Sequence, residues 1–155
     1  KKNAFMGAML IASVFSLIFY WVDPNAIGII FGLNIVIGLS AGVVLPLIWS
    51  MYADIADYSE YKTGRRATGL VFSSSSMSQK MGWTLGGAIT GWLLAIYGFE
   101  ANAEQTTESL KGIRMLISIY PAVGALLSAL ILFGYKLSDS FMAGVTTELE
   151  TRRPE

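Results

Sequence analysis

The chain has 155 residues, of which 54% are hydrophobic and only 14% charged, too few charges for an ordinary soluble domain of this length. Eleven Lys and Arg balance eleven Asp and Glu, so net charge gives no reason to expect a nucleic-acid partner, and none is expected. Cysteine and histidine are both absent, which excludes disulfides, thiolate metal sites and the usual general base.

The chain begins at Lys1, and no short apolar run with a small-residue cleavage site follows. The start therefore reads as a cut rather than a signal peptide. Asn3 to Val22 is an uncharged run of 20 residues ending in Phe19-Tyr20-Trp21, an aromatic cluster suited to a membrane interface. Asp23-Pro24-Asn25 is a turn, and Pro24 to Ala53 is a second uncharged run, of 30 residues. A third span falls within 67–99, and a fourth is Met115 to Tyr135. A helix needs about 20 apolar residues to cross the hydrocarbon, so each run is long enough. Burying four such helices on all faces inside 155 residues is not a credible soluble fold. The expected class is all-α and integral to a membrane, with spans near 3–22, 25–52, 70–98 and 115–135, a charged loop at 54–66 and a tail at 136–155.

Lys and Arg set the orientation. Lys1, Lys2, Lys62, Arg65, Arg66, Lys136, Arg152 and Arg153 fall on one side, against Lys111 and Arg114 on the other. The excess of cations marks the cytoplasmic side, which places both ends of the chain and the 54–66 loop there. Gly28/Gly32, Gly38/Gly42, Gly82/Gly86 and Gly87/Gly91 lie four apart, a spacing that lets helices approach closely in lipid. Pro46 removes a backbone donor late in the second span and predicts a kink.

Lys80 is the one charge among the 33 residues that separate Arg66 from Glu100. A cation at membrane depth costs at least about 2.5–3.5 kcal/mol, so such residues face a polar cavity. At about 1.5 Å per residue Lys80 lies about 20 Å along a helix from Arg66, too far to reach the headgroups. The run Ser73–Lys80 is polar, and Ser73, Ser76, Lys80, Thr84 and Gly87 form one stripe through and beyond it. Hydroxyls, the Gln79 amide and an ammonium offer what a sugar or a carboxylated substrate needs, with Trp83 a candidate stacking face. No carboxylate lies in any apolar run, so the counter-charge of Lys80 is expected from elsewhere in a larger transport protein.

The charged segment carries Asp54, Asp57 and Glu60 before Arg65 and Arg66, with Asp54 and Asp57 on one helical face until Gly64 stops the helix. The acid-then-base order suits a salt-bridge lock, with the carboxylates pairing to Arg65, Arg66 or arginines from absent parts. Nothing nearby supplies a nucleophile or metal ligand, so no enzyme activity and no cofactor are expected.

From Trp49 through Asp54, Asp57, Tyr58, Glu60, Tyr61, Lys62, Gly64, Arg65 and Arg66, followed by Lys80 and the glycines, the chain resembles the glycoside–pentoside–hexuronide:cation symporters. That family is a branch of the major facilitator superfamily, and the melibiose permease is its best-known member. The resemblance implies that the four spans are helices 9–12 of a twelve-helix transporter. It implies sugar or glycoside uptake coupled to sodium, proton or lithium, with the cation ligands in the N-terminal part, outside this chain. The expected partners are the small-molecule sugar, the lipid bilayer and that N-terminal remainder, in the cell (inner) membrane. Ser75, Ser76 and Gln79 fall where the family's sugar pocket lies, with different identities that leave the particular sugar open. The family's pocket tryptophan aligns with Leu45, and Trp49, one turn later, is the candidate for that role. Asp54, Asp57 and Arg66 match the family's cytoplasmic gate. Two alternatives remain: a major-facilitator transporter of a lysolipid or drug, with an apolar pocket around Trp83 and Met77, and a four-helix membrane scaffold.

Overall fold

A computed structural model describes residues 1–152, and these form helices without any strand. Helix α1 (Lys2–Phe19) runs into the Tyr20–Trp21 pair. The chain then turns at Pro24, where Asp23 Oδ1 accepts the Asn25 N–H at 2.8 Å, an Asx turn followed by a residue of fixed φ. Helix α2 (Ile27–Thr63) contains Pro46 and continues to Gly64, whose φ is +69° and whose N–H donates to the Glu60 carbonyl at 2.8 Å. Glycine takes this left-handed cap without a Cβ clash. Helix α3 is Thr68–Ile96 and helix α4 is Thr107–Ile117. Helix α5 (Ile119–Ile131) ends in a 3₁₀ turn, Leu132–Gly134, and helix α6 is Asp139–Arg152.

The charged segment 54–66 is helical up to Thr63, and only residues 64–67 leave the helix. Three sequence expectations need correction. The expected loop before Met115 contains α4, because Thr106 caps it by accepting the Ser109 N–H at 3.1 Å, with Glu108 at its start and Arg114 at its end in the order the helix dipole favours. The expected fourth span is broken at the buried Ser118, since Pro121 has no N–H to donate to the Ile117 carbonyl. The expected tail holds α6, opened by Ser138 Oγ accepting the Phe141 N–H at 3.2 Å. Arg153 lies outside the described residues.

Helix α1 packs between α2 and α5. Phe5, Ala8, Val44 and Met51 form a buried cluster joined by Leu132 and Tyr135. Ser13 Oγ donates to the Ala122 carbonyl at 2.8 Å, and Ala122 and Ala129 are buried, so small side chains mark the close approach of the helices. Lys2 Nζ donates to the carbonyls of Phe133 and Tyr135 at 3.0 and 2.7 Å, a cation closing the end of α5. These contacts gather Lys1, Lys2, Lys62, Arg65, Arg66, Lys136 and Arg152 at one end of the helices. Lys111 and Arg114 sit at the other.

Among the described residues three helical stretches are long and apolar enough to cross a membrane: Lys2–Phe19, Ile27–Thr63, and Thr107–Gly134 taken through the Ser118 break. Their large side chains are widely exposed, as at Phe31, Leu39 and Leu130, which suits helices that meet lipid or further helices. Helix α3 has the length, at 29 residues, but its serines, Gln79 and Lys80 leave it too polar to qualify. No residue of α3 is buried. It touches α2 through Phe72 and α4 through Tyr97. The glycine pairs expected to seat helices closely meet nothing within 4 Å of an added Cβ, because the described neighbours of α2 and α3 lie on their other faces.

Candidate functional site

The stripe on α3 becomes a groove. Ser73, Ser76 and Thr84 line it with Lys80, flanked by Met77, Met81 and Leu85, and its volume is about 640 Å³. The geometry follows from the helix: residues 73, 76, 80 and 84 recur every three or four positions and so share a face. Ser73 Oγ donates to the Leu70 carbonyl at 3.1 Å and Thr84 Oγ1 to the Lys80 carbonyl at 2.9 Å. Returning hydroxyls to the backbone in this way lets polar residues sit inside a helix. Lys80 has no hydrogen bond or ion pair among the described residues. The groove therefore presents an ammonium and a Ser76 hydroxyl, unpartnered among the described residues, beside a single row of Met77, Met81 and Leu85.

The other candidates fall elsewhere. Ser75 is half-buried and donates to the Val71 carbonyl at 2.7 Å. Gln79 is half-buried beside the groove rather than in its lining, and Trp83 is 77% exposed on another face. Trp49 stacks on Phe72 with ring centres 5.8 Å apart, and Tyr52 meets both rings edge-on. This aromatic cluster joins α2 to the start of α3, about two turns of helix from Lys80. Of the expected apolar pocket around Trp83 and Met77, Met77 borders this groove and Trp83 does not. Met81 and Leu85 were missed by sequence reasoning, although each follows a stripe residue by one position.

The charged segment closes on partners from other helices. Lys1 Nζ binds both Asp54 carboxylate oxygens at 2.7 Å. Arg66 Nε lies 3.7 Å from Glu60 Oε2 and donates to Thr68 Oγ1 at 3.1 Å. Asp57 is half-buried on the same helix. The Arg65 side chain is exposed, while its backbone N–H donates to Thr63 Oγ1 at 3.3 Å. Asp54 is thus held by Lys1, not by the arginines expected from the acid-then-base order. From α6, Met142, Val145 and Leu149 bury against Tyr58, Tyr61 and Leu137. Arg152 pairs with Glu148 and lies 5.4 Å over the Tyr61 ring. Sequence reasoning missed Lys1 and Arg152 as partners because both contacts span distant segments. Among the described residues no group of three acidic side chains converges on a metal-sized site.

Residues 1–139 match the family model described as MFS/sugar transport protein. The chain belongs to this major facilitator family of sugar transporters, and its resemblance to the glycoside–pentoside–hexuronide:cation symporters holds. It is 32% identical over 153 residues to a glucuronide carrier protein homolog of Escherichia coli K12, covering 99% of this chain and 34% of that protein. It is 38% identical over 157 residues to the isoprimeverose transporter of Lactiplantibacillus pentosus, covering 100% of this chain and 32% of the relative. The inner membrane symporter YicJ of Escherichia coli K12 is 35% identical over 132 residues, covering 84% of this chain and 29% of its own length. The chain thus spans about a third of the length of the relatives it matches. The family and these names are those of transporters, not enzymes. No solved structure gives a significant match.

Proposed function

We propose that this chain supplies the last four membrane helices of a cation-coupled sugar symporter, equivalent to helices 9–12 of the twelve-helix fold. In this reading α1, α2 and the α4–α5 pair are three of those helices. Helix α3 is the fourth, and its polarity is its purpose: it faces the water-filled path between the two halves rather than lipid. The single observation that carries the reading is the groove around Lys80, an unpaired ammonium on a helix with no buried residue. Sugar hydroxyls, or the carboxylate of a sugar acid, would accept from Lys80 and Ser76, with Ser75, Gln79, Trp49 and Trp83 at the margins of the site. The glucuronide and isoprimeverose named for two relatives fit such a donor set. Acidic groups of the N-terminal half would pair with Lys80 between transport steps and couple it to a sodium ion or proton bound in that half.

The basic end is assigned to the cytoplasm of a cell-membrane protein by the positive-inside rule. Asp54, Asp57, Glu60, Arg65 and Arg66 then form the cytoplasmic gate, opening and closing as the halves rock. Family membership weighs against the scaffold alternative. A non-sugar cargo such as a lysolipid or drug draws no support from Trp83, which stands outside the groove. The test is uptake of a panel of radiolabelled hexoses, pentose glycosides and hexuronates by the full-length protein in proteoliposomes. Accumulation of at least one of them, dependent on an imposed sodium or proton gradient, is expected. Accumulation of apolar drugs or lysolipids alone, or uptake indifferent to both gradients, would contradict the proposal.

A further inference from the structure

The end opposite the charged gate carries a second cavity of different chemistry, about 630 Å³ in volume. Thr107, Leu110, Arg114 and Ile117 follow one another every three or four residues on α4 and form one wall with Lys111, while Phe19 of α1 and Ile30 of α2 face them. Two of these residues are cations and none of the lining residues is acidic. Neither Lys111 nor Arg114 forms an ion pair among the described residues, yet Arg114 is half-buried. A half-buried arginine lining a cavity that holds no carboxylate calls for an anion. Tyr20 lines the same cavity and meets Trp21 edge-on at 5.4 Å, the aromatic pair that marks a membrane–water border.

We infer that this cavity holds an anionic phospholipid, its phosphate between Lys111 and Arg114 and one acyl chain along Phe19, Ile30 and Ile117. Charge complementarity selects the headgroup. The apolar side chains of Phe19, Val22, Ile30, Leu110, Ile113 and Ile117 suit an acyl chain, and a free anion would leave them wet. Binding here ties α1, α2 and α4 together at their shared end and stabilises whichever arrangement of the transporter preserves the cavity. The inference needs the chain to lie in a membrane but not any particular solute or coupling ion.

The test uses the full-length protein, delipidated in detergent and titrated with phosphatidylglycerol or phosphatidylcholine under native mass spectrometry. The intact protein is expected to retain phosphatidylglycerol preferentially. Lys111→Gln with Arg114→Gln is expected to weaken retention about tenfold or more, by the loss of two interfacial cations. Lys111→Arg with Arg114→Lys is expected to keep it. Leu110→Trp, which keeps both charges and fills the cavity, is expected to lose it. Equal retention by all variants would overturn the inference. So would displacement by millimolar inorganic phosphate, the sign of a headgroup-only anion site. A Leu110→Cys thiol that stays unreactive in lipid-free detergent would show the cavity filled by another part of the protein, and would overturn it too.

Discussion

Lys1 Nζ grips both carboxylate oxygens of Asp54 at 2.7 Å, although 53 residues separate them. The contact pins the start of α1 to the last third of α2, and the Asp54 side chain is only 13% exposed. Losing Lys1 leaves a nearly buried carboxylate without its cation. Because Lys1 itself is a third exposed, the cost falls between that of surface and buried pairs, about 1–2 kcal/mol. Lys1→Met and Asp54→Asn should each lower the melting temperature of the detergent-solubilised full-length protein. The double variant should lose less than the sum. Strict additivity would show that the two residues are not coupled.

Gly112 on α4 lies against the ring of Tyr97. A Cβ added at Gly112 would stand 2.3 Å from Tyr97 Cγ and 2.6 Å from its Cβ. The ring cannot swing clear, because its own Cβ is part of the clash. Gly112→Ala should therefore cost about 1–3 kcal/mol, the usual price of overpacking. Gly144→Ala on α6, where an added Cβ meets nothing within 4 Å, should gain about 0.5–1 kcal/mol from helix propensity. Chemical unfolding of the two variants checks the contrast. Equal stabilities would mean that the α3–α4 contact is not close-packed.

Helix α6 is held to α2 by Met142, Val145 and Leu149 against Tyr58 and Tyr61. Replacing Leu149 with Asp puts a charge into that contact while leaving the transmembrane helices untouched. The expected result is local release: faster tryptic cleavage after Lys136 and Arg152, with the global unfolding transition little changed. A cleavage rate equal to that of the unaltered protein would show that the contact contributes little to holding α6.

How much of this was legible in the residues depends on the range of the interaction. The Asp23–Asn25 turn and the Gly64 stop were legible, because each is decided within a few residues by backbone sterics and a local hydrogen bond. The polar stripe around Lys80 was legible because helical periodicity alone brings 73, 76, 80 and 84 to one side. The start of α4 was missed since charge was taken as the border of a span, whereas the Thr106 cap starts the helix eight residues before Met115. The break at Ser118 had a local signal in Pro121 that a hydropathy reading ignores. Trp49 was drawn toward the site because it lies one turn after the aligned Leu45, and only tertiary structure turns it onto Phe72. The glycine spacing states that a helix can be approached closely; it does not state that a neighbour is there.

Lys80 decides the account. The most direct measurement is gradient-driven sugar accumulation by the full-length protein in proteoliposomes, comparing Lys80→Ala with the unaltered protein at matched, folded amounts. Accumulation should fall at least about a hundredfold, as for an ionic hydrogen bond of about 3 kcal/mol lost from a binding site, and Lys80→Arg should recover part of it. Undiminished accumulation by Lys80→Ala would contradict the placement of this groove on the transport path.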